Sequence, residues 1–393
     1  MPLEEAQAIV LERARPLGSE RVPLANASGR FLAEDARAAV DLPPFPSSAM
    51  DGFAVRARDL PDRLVVVASV AAGSPTTRSV GRGEAVAIAT GGAVPAGADA
   101  VVPIEYVVAD DNNITVEEPL ATGAHVRPRG GDVRAGETVV RGGERLSPAR
   151  LGALAAAGVG EVVCARRPRV AVLATGSELR AAGEPLAAGE IYEANSIMLT
   201  AALEAAGAEV EALPAVADDE NAHRESLGRG LGADVLVTSG GVSVGPHDLV
   251  RRVEAELGVE EVFWGVAVKP GKPVVFGVRD STLVFGLPGN PVSSLVGLEL
   301  FVRPAVRALQ GSSEPLPALF PGRLATDVRR NRARDQLLRA RVQPAAGDAV
   351  VEPLPGQESH MIARAAAANA LVLVPRGEGL LEAGAPVRYL ALD

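Results

Sequence analysis

Apolar positions recur at helical spacing over residues 3–15, where Leu3, Ala6, Ile9, Val10 and Ala14 interleave with Glu4, Glu5, Glu12 and Arg13. That period predicts an amphipathic helix. A polar turn, ANASGR, follows, and then a second helical-looking stretch over residues 31–39. The segment DLPPFPSSAMDGFAV interrupts the pattern, because Pro43, Pro44 and Pro46 exclude a regular helix. From about residue 63 to 140 the chain reads as short β-like runs at 64–67, 84–89, 100–108, 114–116 and 138–140, separated by turn residues. Residues 147–163 read as helical, with Ser147 as the cap and Pro148 in the first helical position.

Residues 169–310 change character. The strand RVAVLAT leads into a helix from Asn195 that Gly207 closes. Then come the strand EVEALPAV, a helix around 220–230 and the strand ADVLVTS. The apolar runs VFWGVAV, PVVFGV and TLVFGL precede a long helical pattern, PVSSLVGLELFVRPAVRAL, in which Pro304 predicts a kink or an early break. Apolar runs alternating with helical patterns predict a doubly wound, largely parallel sheet covered on both faces. GSSEPLPA (311–318) reads as a linker, and the tail from 319 as a small β module.

Composition narrows the function classes. The 393 residues are 47% hydrophobic and 22% charged, which fits two or three globular domains. Asp+Glu exceed Lys+Arg by 49 to 39, and a net charge of −10 argues against nucleic acid as a partner. Only two of those 39 cations are lysines, Lys269 and Lys272, and both lie in VKPGKP. Cys164 is the single cysteine, so an intrachain disulfide and a cysteine-rich metal site are excluded; a cytoplasmic location is expected. The acidic N-terminus lacks the pattern of a signal peptide, and no apolar run approaches the ~18 residues of a membrane span. The four histidines are scattered, without metal-binding spacing.

In open α/β sheets ligands sit beyond the carboxyl ends of the strands. Four loops of the 169–310 module are expected there. ATGSEL offers Thr175, Ser177 and Glu178. TSGGVSVGPHD offers the backbone of Gly240, Gly241 and Gly245, together with Ser243 and Asp248. KPGKP holds Lys269 and Lys272 around a Pro-Gly turn, which suits a compact oxyanion. GLPGNPVSS carries Pro288, Asn290, Pro291, Ser293 and Ser294 to a helix start, where free N–H groups favour an anion. Asp218 and Asp219, with Glu178 and Asp248, are candidate hard-oxygen ligands for Mg²⁺, although either aspartate could simply cap a helix. Outside this module stand Asp51, Thr90, Arg127, Arg129 and Asp132, and an arginine-rich run at 329–341. A Walker loop and a GxGxxG fingerprint are both absent.

Taken together, PPFPSSAMDGFAVR, ATGGAVPAGADAVVP, RPRGGDVRAG, LATGSEL, IYEANS, TSGGVSVGPHD, VKPGKPVVFG, GLPGNPVSS and GQESHMIARAAAANAL resemble the MoeA family, the molybdopterin molybdenumtransferases, related to the E domain of gephyrin. The resemblance runs in family order over nearly the whole chain. It implies insertion of molybdate into adenylylated molybdopterin with Mg²⁺, release of AMP, and formation of molybdenum cofactor. It implies an elongated homodimer with a cleft between the two chains, and leaves room for contacts with other proteins of molybdenum-cofactor biosynthesis. It implies a multidomain α/β fold: a discontinuous helical domain I (1–35 and 136–167), a mostly-β domain II (36–135), a MogA-like doubly wound α/β domain III (168–312) and a β-barrel-like domain IV (313–393). By motif position, Asp51, Thr90, Arg127, Asp132, Glu178, Asp218, Asp248 and Lys269 match residues implicated in the family's activity, with Asp51 reaching the cleft from the partner subunit. Lys272, Pro288, Pro291, Arg334, Arg339 and Ser359 match others.

One departure stands out: some members carry a lysine four residues before the first lysine of KPGKP, where this chain has Gly265. Alternative readings are a pterin adenylyltransferase, which the α/β module alone would suit, and a non-catalytic scaffold. The motifs leave molybdate against tungstate open.

Overall fold

The structure, a computed structural model, describes residues 1–241 and 249–392. Its centre is a six-stranded sheet of β1 (Arg169–Ala174), β2 (Glu209–Ala212), β3 (Val235–Ser239), β4 (Glu260–Trp264), β5 (Val275–Arg279) and β6 (Thr282–Leu287), in the order β2-β1-β3-β6-β5-β4. β2, β1, β3 and β6 run parallel, while β5 and β4 close the sheet as antiparallel strands. Successive residues of each run face opposite sides, and β1, β3 and β6 are covered on both, which is why they are largely apolar rather than alternating, while the outer strands β2 and β4 carry Glu209, Glu211, Glu260 and Glu261. Val170, Val172, Val235, Val237 and Phe285 face one core. Ala171, Leu173, Leu236 and Val284 face the other.

The first core receives α3 (Asn195–Ala205), α6 (Pro291–Gly297), α7 (Arg303–Leu309) and also α1 (Leu3–Arg13), whose Leu3, Ala6 and Val10 are buried in it. The terminal ammonium of Met1 donates to Gly265 O (3.0 Å), and the Ala267 N–H donates to Met1 O (2.8 Å). The second core is covered by α4 (Glu220–Gly230) and α5 (Leu249–Glu256) through Leu227, Val250 and Val253. The long helical pattern is interrupted by a π-helical turn at Leu298–Val302, and Pro304 falls in the first turn of α7. The wider turn accommodates a residue with no N–H to give.

Helix α2 (Pro148–Ala156) starts where the sequence places it, with Ser147 Oγ accepting from Arg150 N–H. It ends earlier than expected: Gly158 takes φ 80°, and Glu161–Ala165 forms a strand paired with Ser19–Pro23. The helix expected over 31–39 does not form. Phe31 bridges Arg145, Leu32 bridges Cys164, and Ala36–Arg37 pairs with Thr138–Val140. Phe31 and Leu32 are both buried, and their backbone groups find partners across the chain instead of within a helix.

Residues 52–116 contribute a second six-stranded sheet. The tail forms a third from β7 (Leu319–Leu324), β8 (Asp335–Gln343), β9 (Ala349–Pro353), β10 (Ala370–Val374) and β11 (Pro386–Ala391). The ladder runs β8-β9-β7-β11-β10 and returns from β10 to β8, so these strands close into a barrel. Among the described residues no helix is long and apolar enough to cross a membrane.

Candidate active site

β1, β3 and β6 are parallel and end side by side, so the loops that follow them meet at one edge. Thr175 N–H donates to Ser239 O (2.9 Å), and Gly240 N–H donates to Leu287 O (3.0 Å). Gly240 has φ 101°, and a Cβ there would lie 2.5 Å from Thr175 O, so the two loops can lie this close only with glycine. Asn195, buried at the start of α3, pins the edge from below: its Nδ2 donates to Ser239 Oγ (2.8 Å) and Gly289 O (2.8 Å). Ser294 Oγ donates to Pro288 O, and Pro291 opens α6.

Two exposed carboxylates stand at this edge. Thr175 bridges Val216, which brings the loop after β1 beside the loop after β2. There Ser177 Oγ donates to Asp218 Oδ2 (3.0 Å) and accepts from the Asp218 N–H (3.0 Å). The capping role falls to Asp219, whose Oδ1 accepts from Ala222 N–H at the start of α4 (2.9 Å). Asp218 is thereby left turned to solvent. Glu178 folds its carboxylate over Gly176, where a Cβ would lie 2.6 Å from Oε2. Asp248, Ser243 and Gly245 lie outside the described residues. Among the described residues no cluster of three acidic, His or Cys side chains is poised to hold a metal. The donors present, two carboxylates and a hydroxyl, are of the hard-oxygen kind that Mg²⁺ takes together with phosphate and water oxygens.

A cavity of about 580 Å³ opens where this edge meets the barrel. Lys269, Lys272, Pro288, Asn290 and Ser293 line it from the α/β module. Arg334, Gln336 and Ser359 line it from the barrel. Three cations therefore face it against one lining carboxylate, Glu358. KPGKP is not the end of a strand in the α/β sheet, as the sequence suggests. It precedes β5, which runs antiparallel to β6, so its residues still arrive at the carboxyl edge. Val268–Lys269 forms a short strand that pairs in parallel with β8, setting Lys269 opposite Gln336. Lys272 Nζ lies 5.6 Å from the centroid of the Trp264 ring, within cation–π range.

The barrel's contribution is held from within. Arg339 is 1% exposed and does not line the cavity. Its guanidinium donates to Gly356 O (2.6 Å), to Glu358 O (3.2 Å) and to Met361 O, in the loop that presents Ser359. Burial pushes its pKa below the ordinary arginine value. Gln357 ties the same loop to β8, accepting from Arg339 N–H (3.0 Å) and donating to Arg339 O (2.9 Å). The loop then docks on α6 by accepting the Val292 N–H at Ser359 O (3.1 Å).

Asp51, Thr90 and Arg127 form a separate group in the 52–116 module and its flank. Asp51 Oδ1 accepts from the Thr90 N–H (2.7 Å) and the Thr90 hydroxyl (3.0 Å). These two bonds, the backbone one foremost, hold its carboxyl below the usual carboxylate range. Gly52 packs on a neighbouring strand so closely that a Cβ would lie 2.0 Å from Val102 O. Val126–Arg127 pairs with Ser47–Ser48, and Gly91 N–H donates to Ser48 O (2.9 Å), which sets the loop carrying Thr90 beside the strand of Arg127. Asp132 lies further along, its N–H donating to Leu42 O (2.9 Å) and its side chain exposed. None of these residues lines the cavity.

Sequence reasoning missed Gln336, Gln357, Trp264 and Asn195. Gln336 had a signal, a polar residue at a core position of the run DQLLRA. The others become visible only through their contacts.

A mostly parallel sheet whose carboxyl edge meets a closed barrel across a cation-lined cavity defines a multidomain α/β protein. Three family profiles match in succession: the MoeA N-terminal region (domain I and II) over residues 1–158, a probable molybdopterin binding domain over 171–308, and the MoeA C-terminal region (domain IV) over 321–392. Molybdopterin molybdenumtransferase 2 of Mycobacterium tuberculosis is 37% identical over 406 residues, covering 100% of this chain and 99% of that protein. The molybdopterin molybdenumtransferase of Haemophilus influenzae is 34% identical, covering 98% and 97%. The crystal structure of the molybdopterin biosynthesis MoeA protein from Pyrococcus horikoshii OT3 superposes with a TM-score of 0.85 at 30% identity, over 100% of both chains. The chain belongs to the MoeA family, the molybdopterin molybdenumtransferases.

Proposed function

We propose that this chain inserts molybdate into adenylylated molybdopterin, releasing AMP and yielding molybdenum cofactor. The observation that carries the reading is the cavity in which Lys269, Lys272 and Arg334 converge with Ser293 and Ser359. Molybdate is a dianion, and its acceptor carries phosphates and thiolates. The protein's main task is to bring like charges together, so fixed cations and polar donors supply the stabilisation. Lys269 and Lys272 hold the oxyanion near the dithiolene. Ammonium groups suit this better than guanidinium forks, since each is a compact charge with rotatable donors. Glu178 and Asp218 would hold Mg²⁺ from the neighbouring loops, where it would offset phosphate charge. Arg339 and Gln357 act by holding the Ser359 loop rather than by touching substrate.

The working unit in this reading is a homodimer in the cytoplasm. Asp51, Thr90, Arg127 and Asp132 sit apart from the cavity in their own chain, which is the arrangement expected if a partner's lobe completes each cleft. Domains I (1–35 with 136–167), II (36–135), III (168–312) and IV (313–393) are proposed as the units of that assembly. Mixing an Asp51→Asn chain with a Lys269→Ala, Lys272→Ala chain tests this. Cross-subunit sites restore part of the activity in the mixed dimer, and same-chain sites restore none. The activity itself is tested by incubating the protein with adenylylated molybdopterin, Mg²⁺ and molybdate. A transferase releases AMP in an oxyanion-dependent manner, an adenylyltransferase consumes ATP instead, and a scaffold does neither.

A further inference from the structure

The sheet of residues 52–116 has two edge strands, Ala100–Pro103 and Val108–Asp110. Laid flat, six strands at their usual spacing would set those edges about 24 Å apart. The chain crosses from one edge to the other through residues 104–107 alone, and a crossing that short reaches at most about 18 Å. The sheet therefore curls until its edges approach, yet among the described residues no ladder of hydrogen bonds joins them. A cavity of about 580 Å³ lies at this open seam. Val102 lines it from one edge, and Val108 and Val116 line it from the other. Val102 and Val116 are buried and make an apolar floor. Beside it Ile104, Tyr106 and Val108 are 55%, 71% and 61% exposed, so apolar surface runs on past the mouth of the cavity.

The rim is acidic. Glu105, Glu117 and Glu118 line the opening and are all exposed. Nearby Asp110 is bridged by Arg63 (2.7 Å), but these three carboxylates have no Arg or Lys against them among the described residues. His125 is the one basic group in the lining. We infer that the seam docks a basic segment of a partner protein, which inserts an apolar side chain between the edge strands and sets Lys or Arg residues against Glu105, Glu117 and Glu118. Charge complementarity fixes the sign of the partner, and the exposed Tyr106 supplies the kind of aromatic anchor that interfaces favour. A peptide fits better than a small cation, because the apolar surface extends beyond the cavity and the outer side of Val108–Asp110 pairs with no other strand, leaving backbone groups for an added one. An isologous contact with a second copy would set carboxylate against carboxylate. No residue lines both this seam and the oxyanion cavity, so the two readings stand or fall separately.

The test is fluorescence anisotropy of the full-length chain titrated into a labelled probe peptide, Lys-Arg-Leu-Phe-Arg-Lys. A second peptide of equal charge, Lys-Arg-Ser-Gly-Arg-Lys, lacks the apolar anchor. Three variants are compared with wild type: the triple Glu105→Gln, Glu117→Gln, Glu118→Gln; the single Tyr106→Ser; and Glu4→Gln with Glu5→Gln, which removes exposed charge from helix α1 instead. All the altered side chains are exposed, and circular dichroism checks each fold. The expected result is saturable binding of the first peptide, weakened about tenfold by the triple variant and several-fold by Tyr106→Ser, and unchanged in the α1 variant. The second peptide is expected to bind at least several-fold more weakly. Absence of saturable binding overturns the inference. Equal weakening by the rim and α1 variants also overturns it, since the attraction is then diffuse, and so does equal binding of the two peptides. Sedimentation velocity supplies the remaining arm: an oligomeric state changed by Tyr106→Ser or by the triple variant assigns the seam to a second copy and overturns the partner assignment, while an unchanged state supports it.

Discussion

Replacing Arg339 with Met separates holding the cavity loop from touching the substrate. The change deletes the donors to Gly356 O, Glu358 O and Met361 O at once. Each lost charge-assisted bond is worth about 1.5–3 kcal/mol when its acceptor stays dry. Glu358 is exposed and Gly356 and Met361 are half-buried, so water recovers part of each loss. A second offset comes from Arg339 itself: its guanidinium is desolvated, its Nε has no partner, and methionine relieves both costs. The balance is a local loss of about 3 kcal/mol, since the acceptors outnumber the relieved group. A multidomain chain has no single unfolding free energy, so the readout must be local. Native-state hydrogen exchange serves. Amides of β8 beside Gln357, and the Val292 amide bonded to Ser359 O, should exchange on the order of 100-fold faster in Arg339→Met. Amides of β1 and β3 should be unchanged. Molybdate binding should weaken with the loop. Unaltered protection at Val292 and β8, combined with lost molybdate binding, would refute the reasoning and return Arg339 to direct substrate contact.

Trp264 is the chain's only tryptophan, and Lys272 lies over its ring. Molybdate titration is expected to change its emission in the wild type but not in Lys272→Met; equal responses would contradict the pairing. Lys269→Arg and Lys272→Arg should each lower oxyanion-dependent turnover, and full activity in both would reduce the arginine bias to a compositional accident. His223 is fully buried, with Nδ1 3.1 Å from Asp219 O and no partner on Nε2. Burial lowers its pKa, and the Asp218 and Asp219 carboxylates only partly oppose that. As pH falls below about 6.5 the unfolded chain takes up the proton first, so this residue withdraws up to about 1.4 kcal/mol of stability per pH unit. His223→Leu should flatten the loss of hydrogen-exchange protection in α4 between neutral and mildly acidic pH; an unchanged slope would show that other groups govern it.

Much of this architecture is legible in residue order, because local signals and the fold agree there. Ser147 and Pro148 start a helix, the uniform apolar runs of β3 and β6 are buried on both faces, and Gly207 ends α3 with φ 93°. The 31–39 stretch misleads because its backbone bonds are made to residues far along the chain, in the 136–165 region, which no local period encodes. The site is legible in the same uneven way. Lys269 and Lys272 stand out by composition, and Asp218 is distinguished from its neighbour only by the capping bond of Asp219. The meeting of Lys269 with Gln336 depends on a parallel pairing between two modules, and Arg339's inward turn depends on the closed barrel. Those facts belong to tertiary packing, where a motif string carries no information about direction.

The central claim is that the cationic cavity handles the oxyanion of a molybdenum transfer. The measurement that tests it most directly is AMP release from adenylylated molybdopterin, with and without molybdate, by the wild type and by the Lys269→Ala, Lys272→Ala double variant. Molybdate-stimulated release in the wild type, abolished in a variant of unaltered circular dichroism and thermal unfolding, is the predicted result. Equal molybdate-stimulated release by both proteins would contradict the claim.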